Sequence, residues 1–258
     1  MNLQDFFDNE TEQPLDRLLT DGGYTAIFRT IACIGDSLSS GEFEAMGDDG
    51  NRTYHDMYEY SWGQFIARMC GSKVYNFSQG GMTAKYYCEK FADERGYWNS
   101  EYAAQAYIIA LGVNDVLQKI EMGTVDDIDL ADRRNNRQTF AGYMGQIIQR
   151  VKEIQPRAKI FLMTMPRSAD EHDGEIKVHR DIIYQLADTF DNTYVLDFYQ
   201  YAPIYDSAFR EKFFMHGHMN PMGYLLTAQM TASYIDYIIR HNCDDFKEVG
   251  FIGTDLHA

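Results

Sequence analysis

Cysteine, proline and positive charge are all scarce in this 258-residue chain. Four cysteines (Cys33, Cys70, Cys88, Cys243) are too few for a disulfide scaffold, and without a CxxC spacing they give no zinc pattern. Cys33 lies inside an apolar run and reads as a core residue. Five thinly spread prolines leave nothing that reads as an interdomain linker. Lys and Arg number 23 against 39 Asp and Glu, a net charge of −16 at pH 7 with histidine neutral. No basic stripe is present, so neither nucleic acid nor an anionic membrane is expected as a partner. No run of about 18 apolar residues exists to span a bilayer. The N-terminus (MNLQDFFDNETEQPLD) is acidic and lacks the basic-then-apolar order of a signal peptide. A cytoplasmic protein is therefore expected, unless a removed leader once preceded it. Repeats and low-complexity tracts are absent too.

What is present is an alternation of short apolar runs with amphipathic segments. Residues 28–35, 73–78, 105–111, 159–165 and 193–199 read as five buried strands. Helices are expected over 60–70, 138–155 and about 173–190, and a last one starts at Pro221 with Asn220 as its cap. Apolar rather than alternating strands, separated by helices, predict a parallel sheet covered on both faces. One α/β domain over 1–258 is expected, with an N-terminal extension (1–25) and two long insertions (41–60 and 116–137). In such folds a site lies beyond the carboxyl ends of the strands.

Those ends carry the polar residues that stand out. The first strand runs into Gly35-Asp36-Ser37-Leu38-Ser39, which puts a serine on a tight turn at the sheet edge. The second ends in Asn76-Phe77-Ser78-Gln79-Gly80-Gly81-Met82-Thr83, where glycine lets a backbone N–H approach a ligand. The third ends in Gly112-Val113-Asn114-Asp115, whose asparagine amide could donate to a developing oxyanion, and His218 stands just before the last helix. A nucleophile, a backbone donor, an amide donor and a base are the parts that acyl transfer needs. Each residue alone has a plainer reading: a turn serine, a loop asparagine, boundary or surface histidines (His179 a boundary histidine on the apolar side of a helix; His55, His172, His241 and His257 at the surface). His216-Gly217-His218 lacks a third ligand at a recognisable spacing, so no metal is expected.

The four blocks, in this order (GDSLS, N-x-x-x-x-G-x-T, G-x-N-D and H-x-N-x-x-G-Y), resemble the SGNH/GDSL hydrolase family of esterases and lipases over residues 28–240. The resemblance implies a three-layer α/β/α sandwich, flavodoxin-like, with a parallel five-stranded sheet in the order 2-1-3-4-5. It implies Ser37 as nucleophile and His218 as base. The oxyanion hole would be formed by the backbone N–H groups of Ser37 and Gly81 and the amide of Asn114. No cofactor is implied.

The family usually carries an aspartate three residues before the histidine; here that position is Met215. Three readings stay open: a main-chain carbonyl near Met215 orients the imidazole, or an acid from another loop does so (Glu42, Glu44 and Asp206 being the nearest guesses), or the site is degraded. The 41–60 insertion, with Tyr54, Tyr58 and Tyr60, suits the wall of a binding site, and a sugar ring better than a long acyl chain. The expected protein is a serine esterase acting through an acyl-serine on small, preferably acetyl, esters, with an acetylated carbohydrate as the preferred small-molecule partner. A lysophospholipase or thioesterase, or a non-catalytic carbohydrate-binding protein on a decayed scaffold, are the rivals. Oligomeric state is not legible.

Overall fold

The structure, a computed structural model, describes residues 11–168 and 173–250, so His172, His257 and the first ten residues of the N-terminal extension lie outside the described residues. The chain enters β1 (Thr30–Gly35), turns through the short helix α1 (Ser37–Ser40), and forms an antiparallel hairpin of β2 (Glu42–Met46) and β3 (Arg52–Asp56). Then α2 (Trp62–Cys70) leads to β4 (Lys73–Ser78). Two helical turns, α3 (Ala84–Tyr86) and α4 (Ala92–Glu94), precede β5 (Ala106–Ala110), followed by α5 (Val113–Leu117), α6 (Phe140–Ile154) and β6 (Lys159–Met163). The rest is α7 (Asp173–Thr189), β7 (Thr193–Leu196), α8 (Phe198–Tyr201), α9 (Ser207–Phe213), a two-residue-strand hairpin of β8 (Phe214–Met215) and β9 (His218–Met219), and α10 (Pro221–His241).

The main sheet has the order β4-β1-β5-β6-β7 and is parallel throughout. Counting only its own strands, this is the 2-1-3-4-5 order expected from the sequence. Side chains of a strand alternate between faces, and both faces are apolar here. Ile31 and Cys33 of β1, Ala106 and Ile108 of β5 and Phe161 of β6 join one core with α2 and α10. Their neighbours Ala32, Ile34, Tyr107, Ile109, Ile160 and Leu162 join a second core with α6 and α7. Burying a large aliphatic side chain contributes roughly 1.5–3 kcal/mol, and strands apolar on both faces have this gain only between two helical layers. Residues 19–25 strap the α10 face: Leu19 N–H donates to Ser233 Oγ and Tyr24 N–H to Asp236 Oδ1.

The strand at 73–78 has its expected length; the other four are shorter than their apolar runs, some for visible local reasons. β7 stops at Leu196 because Asp197 caps α8 through the Gln200 N–H. Thr164 and Met165 lie beyond β6 and line a cavity instead. His179, read as a boundary residue, is fully buried; its Nε2–H donates to the Leu111 carbonyl at 2.9 Å, and burial pulls the imidazole down to about 4.

Candidate active site

All five strands of the main sheet point their carboxyl ends at one edge, and Gly35 pairs there with Ser78 and Ala110. Beyond Gly35, the Asp36 carboxylate accepts the Leu38 N–H at 3.0 Å and caps α1, so Ser37 is the first helical residue. Asp36 is buried, and burial pushes its carboxyl up to about 6 against the pull of that N–H. Its work is to hold the turn. The Ser37 hydroxyl makes no hydrogen bond among the described residues.

The loop after β4 is clipped by the residues after β5. Asp115, with no exposed surface, accepts the Ala84 N–H with both oxygens (3.0 and 3.2 Å). Burial pushes this carboxyl up to about 7. Asn114 Nδ2 donates to the Met82 carbonyl at 3.1 Å. One amide hydrogen fixes the asparagine and the other stays available for a ligand. Between these clips Gly81 has φ 71, a conformation that side chains other than glycine rarely adopt.

His218 is carried by the β8–β9 hairpin, where Met215 pairs with His218 and His216 takes φ 59 at the turn. Its imidazole stands between two carboxylates of β2. Nδ1 is 3.3 Å from Glu44 Oε2, and Nε2 is 3.0 Å from Glu42 Oε1. The period of a strand explains the pair: Glu42 and Glu44 share one face, while Phe43 between them packs against Tyr60 and Tyr224. The Tyr224 hydroxyl donates to the Glu42 main-chain carbonyl and ties α10 to the base of the hairpin.

Glu44 is almost completely buried, 1% exposed. Burial pushes its carboxyl up, but the Gly217 N–H (2.9 Å), the His218 imidazole and the Arg52 guanidinium (2.9 Å) outweigh that and hold it below the usual carboxylate range. An ionised carboxylate only accepts, so His218 Nδ1 carries the proton of that hydrogen bond. Glu42 moves the other way, because burial raises its carboxyl and Asp56 and Glu44 add to the rise against the pull of His218.

Of the orienting groups expected from the sequence, Glu42 and Glu44 are brought to the imidazole and the other two are not. Asp206 caps α9 through the Phe209 N–H. The Met215 carbonyl is no acceptor for the ring, since Nδ1 is taken by Glu44. Tyr54, 55% exposed, stands edge-on to the His218 ring at 5.8 Å. Tyr58 instead donates to the Val74 carbonyl and Tyr60 packs on Phe43, so the expected tyrosine wall reduces to Tyr54.

Ser37, Gly81, Asn114 and His218 line one polar cleft together with Glu42, Tyr54, Asp56 and Gln79. A second cleft of about 360 Å³ also opens at Ser37, Asn114 and His218 but has a different wall, with Leu38, Val113, Val116, Leu117, Met165 and Ile176. Only the start of the 116–137 insertion reaches it. Farther on, Asp127 binds Thr139 and Arg137, and Gln149 binds the Asp129 carbonyl, which fastens the insertion to α6. Among the described residues no cluster of His, Cys, Asp and Glu has the makings of a metal site, and no helix is long and apolar enough to cross a membrane.

The β2–β3 hairpin is not among the expected elements, although Asp49-Gly50 is a turn signal. Its strand β3 is almost wholly solvent-exposed and offers no apolar alternation.

The fold recurs in solved structures. A possible lipase from Chitinophaga pinensis superposes with a TM-score of 0.56 at 18% identity, over 81% of this chain and 98% of that one. The psychrotrophic esterase EstA from Pseudoalteromonas sp., inhibited by monoethylphosphonate, gives 0.55 at 15% identity, over 83% and 100%. A family 2 carbohydrate esterase with a carbohydrate-binding domain from Corynascus thermopiles (Myceliophthora fergusii) gives 0.57 at 16% identity, over 82% of this chain and 66% of that one. At such identities the likeness is one of fold. No curated protein matches the sequence. The profile of the GDSL-like lipase/acylhydrolase family matches residues 33–226, from inside β1 into α10 and across every block of the site; the chain belongs to that family and is a carboxylic ester hydrolase.

Proposed function

We propose that the protein is a serine esterase that cleaves small acyl esters, acetyl first, from a carbohydrate hydroxyl through an acyl-serine intermediate. The observation that carries this reading is the single cleft shared by Ser37, Gly81, Asn114 and a His218 whose Nδ1 is held by a buried carboxylate. In it Ser37 Oγ attacks the ester carbonyl while His218 Nε2 takes its proton. Glu44 fixes the tautomer with the proton on Nδ1 and stabilises the imidazolium, the part an aspartate plays in a Ser-His-Asp triad. The N–H groups of Ser37 and Gly81 and the free amide hydrogen of Asn114 meet the oxyanion. The imidazolium then protonates the departing alcohol, and water, activated by the same nitrogen, releases the acid. Nε2 stands at Glu42 in the resting protein, so the ring shifts towards Ser37 as substrate enters; such contacts commonly tighten only in the complex.

The carbohydrate side of the reading draws on the polar cleft with its exposed Tyr54 and on the likeness to a carbohydrate esterase. One observation favours a second reading for the acyl side. The apolar cleft beyond Ser37 is larger than an acetyl group needs, which suits a chain of several carbons and a lipase- or thioesterase-like substrate.

The test is an activity profile on p-nitrophenyl esters from acetyl to palmitoyl, then on acetylated sugars, together with labelling by a serine-reactive phosphonate. Ser37→Ala is expected to abolish labelling and to lower kcat by about 1,000-fold or more. A variant that retains more than about a tenth of wild-type kcat sinks the nucleophile. Absence of any burst or label in the intact protein favours a non-catalytic binder.

A further inference from the structure

Orienting an imidazole takes one carboxylate, and His218 has two. Glu44 holds Nδ1, so Glu42 is surplus to that task, and it faces Nε2, the nitrogen that must serve Ser37. We infer that Glu42 is a specificity residue: it accepts a hydrogen bond from a hydroxyl on the leaving alcohol, next to the scissile oxygen. The inference rests on the esterase reading above and adds to it the group that chooses the alcohol.

With the ring proton on Nδ1, Nε2 carries a lone pair and gives the Glu42 carboxylate no donor, whether it faces Glu42 or turns to Ser37. Glu42 is only 15% exposed at the side chain and has Asp56 opposite it in the hairpin register, Glu44 two residues on, and no Lys or Arg paired with it among the described residues; Arg52 is taken by Glu44. A carboxylate so placed needs a donor, and leaving it without one is costly. Water or whatever fills the cleft must supply it.

Glu42 also lies on the right side of the nucleophile. Its Oε2 packs on Gly80 so closely that a Cβ there would collide with it, which sets the carboxylate beside the loop that carries Gly81. It lines the polar cleft with Gln79 and Tyr54 and is absent from the apolar one. The two clefts share Ser37, Asn114 and His218 but are otherwise walled by different residues, so an ester whose acyl group takes the apolar cleft leaves its alcohol to the polar one, beside Glu42. A hydroxyl fits the position better than an ammonium. His218 becomes cationic during attack, and a fixed positive charge on Glu42 would oppose that step.

The experiment compares glycerol monoacetate with propyl acetate, which lacks the hydroxyls, and with acetylcholine, which carries a cation, in wild-type protein, Glu42→Ala and Glu42→Gln. The readout is the ratio of kcat/KM between esters. A general loss of framework lowers all three esters alike and leaves the ratio where it was. Wild type is expected to favour the glycerol ester over propyl acetate by about tenfold or more, the range of a hydrogen bond to a charged acceptor. Glu42→Ala should remove that preference and Glu42→Gln, whose amide oxygen still accepts, should restore part of it. A wild-type ratio near one, or a ratio unchanged in Glu42→Ala, overturns the assignment. A preference for acetylcholine that Glu42→Ala abolishes makes the site a cation site and overturns the hydroxyl. If wild type cleaves none of the three, the esterase reading fails. Glu42 is then judged by NMR titration of the Ser37→Ala protein with glycerol monoacetate and propyl acetate, where equal affinities overturn its role.

Discussion

Glu44 is a buried anion whose charge survives because two hydrogen-bond donors meet one of its oxygens and the Arg52 guanidinium pairs with the other. Exchange for an amide tests what the charge does. In Glu44→Gln the side chain can present NH2 to Nδ1, which favours the wrong imidazole tautomer and removes the counter-charge of the imidazolium. A fall in kcat of at least about 100-fold with an intact near-UV spectrum is expected. Met215→Ala should change kcat little, because neither ring nitrogen faces that residue's carbonyl. If Met215→Ala is the more damaging of the two, Glu44 is not the orienting acid. Asn114→Ala should lower kcat by about 100-fold or more while KM moves little, because the oxyanion exists only after attack. A loss confined to KM would make Asn114 a ground-state contact. Ser37, Gly81, Asn114 and His218 were legible as candidates in the sequence because each follows an apolar strand or precedes a capped helix at a readable distance. Glu44 could be read only as one of several acids. Its selection depends on which face of β2 meets a hairpin formed more than 170 residues later, and no local spacing carries that information.

At the scale of elements, the β2–β3 hairpin works as a bracket for the imidazole. Arg52 on β3 lies diagonally across from Glu44 and helps keep it ionised. A carboxyl held below its usual range stays ionised until the pH falls through its lowered folded value. Without the guanidinium that value rises, so Arg52→Ala should lose activity at a higher pH than wild type on the acid side, with little change near pH 8. A pH–kcat/KM profile checks this, and an unmoved acid limb would mean that Gly217 and His218 suffice. The sheet strands were readable because burial on both faces writes an apolar run into the sequence. The hairpin was not, since β3 faces mostly water and β2 spends its inward positions on two glutamates. The tyrosines drew attention to the same insertion, yet two of the three pack against the scaffold.

Across the whole molecule, two sets of carboxyl groups pull stability in opposite directions with pH. Glu44, Asp127 and Glu12 are held low, in each case because hydrogen bonds and charges outweigh burial, and they favour the fold until acid protonates them. Asp36 and Asp115 are raised by burial to about 6 and about 7. A raised carboxyl favours the fold fully below its unfolded value near 3.8, and that contribution is lost as the pH rises through the folded value. Asp115→Asn removes one such titration while its amide oxygen can still accept the Ala84 N–H. Denaturant unfolding at pH 5 and pH 8 should find the variant gaining on wild type by about 1–3 kcal/mol between the two. A difference independent of pH would mean that Asp115 is ionised throughout.

The pairing of Glu44 with His218 spans 174 residues of chain, and it has a temporal side. Ribosomal synthesis delivers Ser37, Glu44, Gly81 and Asn114 first, and His218 only 104 residues after the last of them. Until then the serine lacks the base proposed for it and the glutamate lacks its Gly217 donor. On the proposed mechanism a nascent product that stops short of His218 is therefore chemically mute towards esters, and hydrolytic competence arrives only with the β8–β9 hairpin.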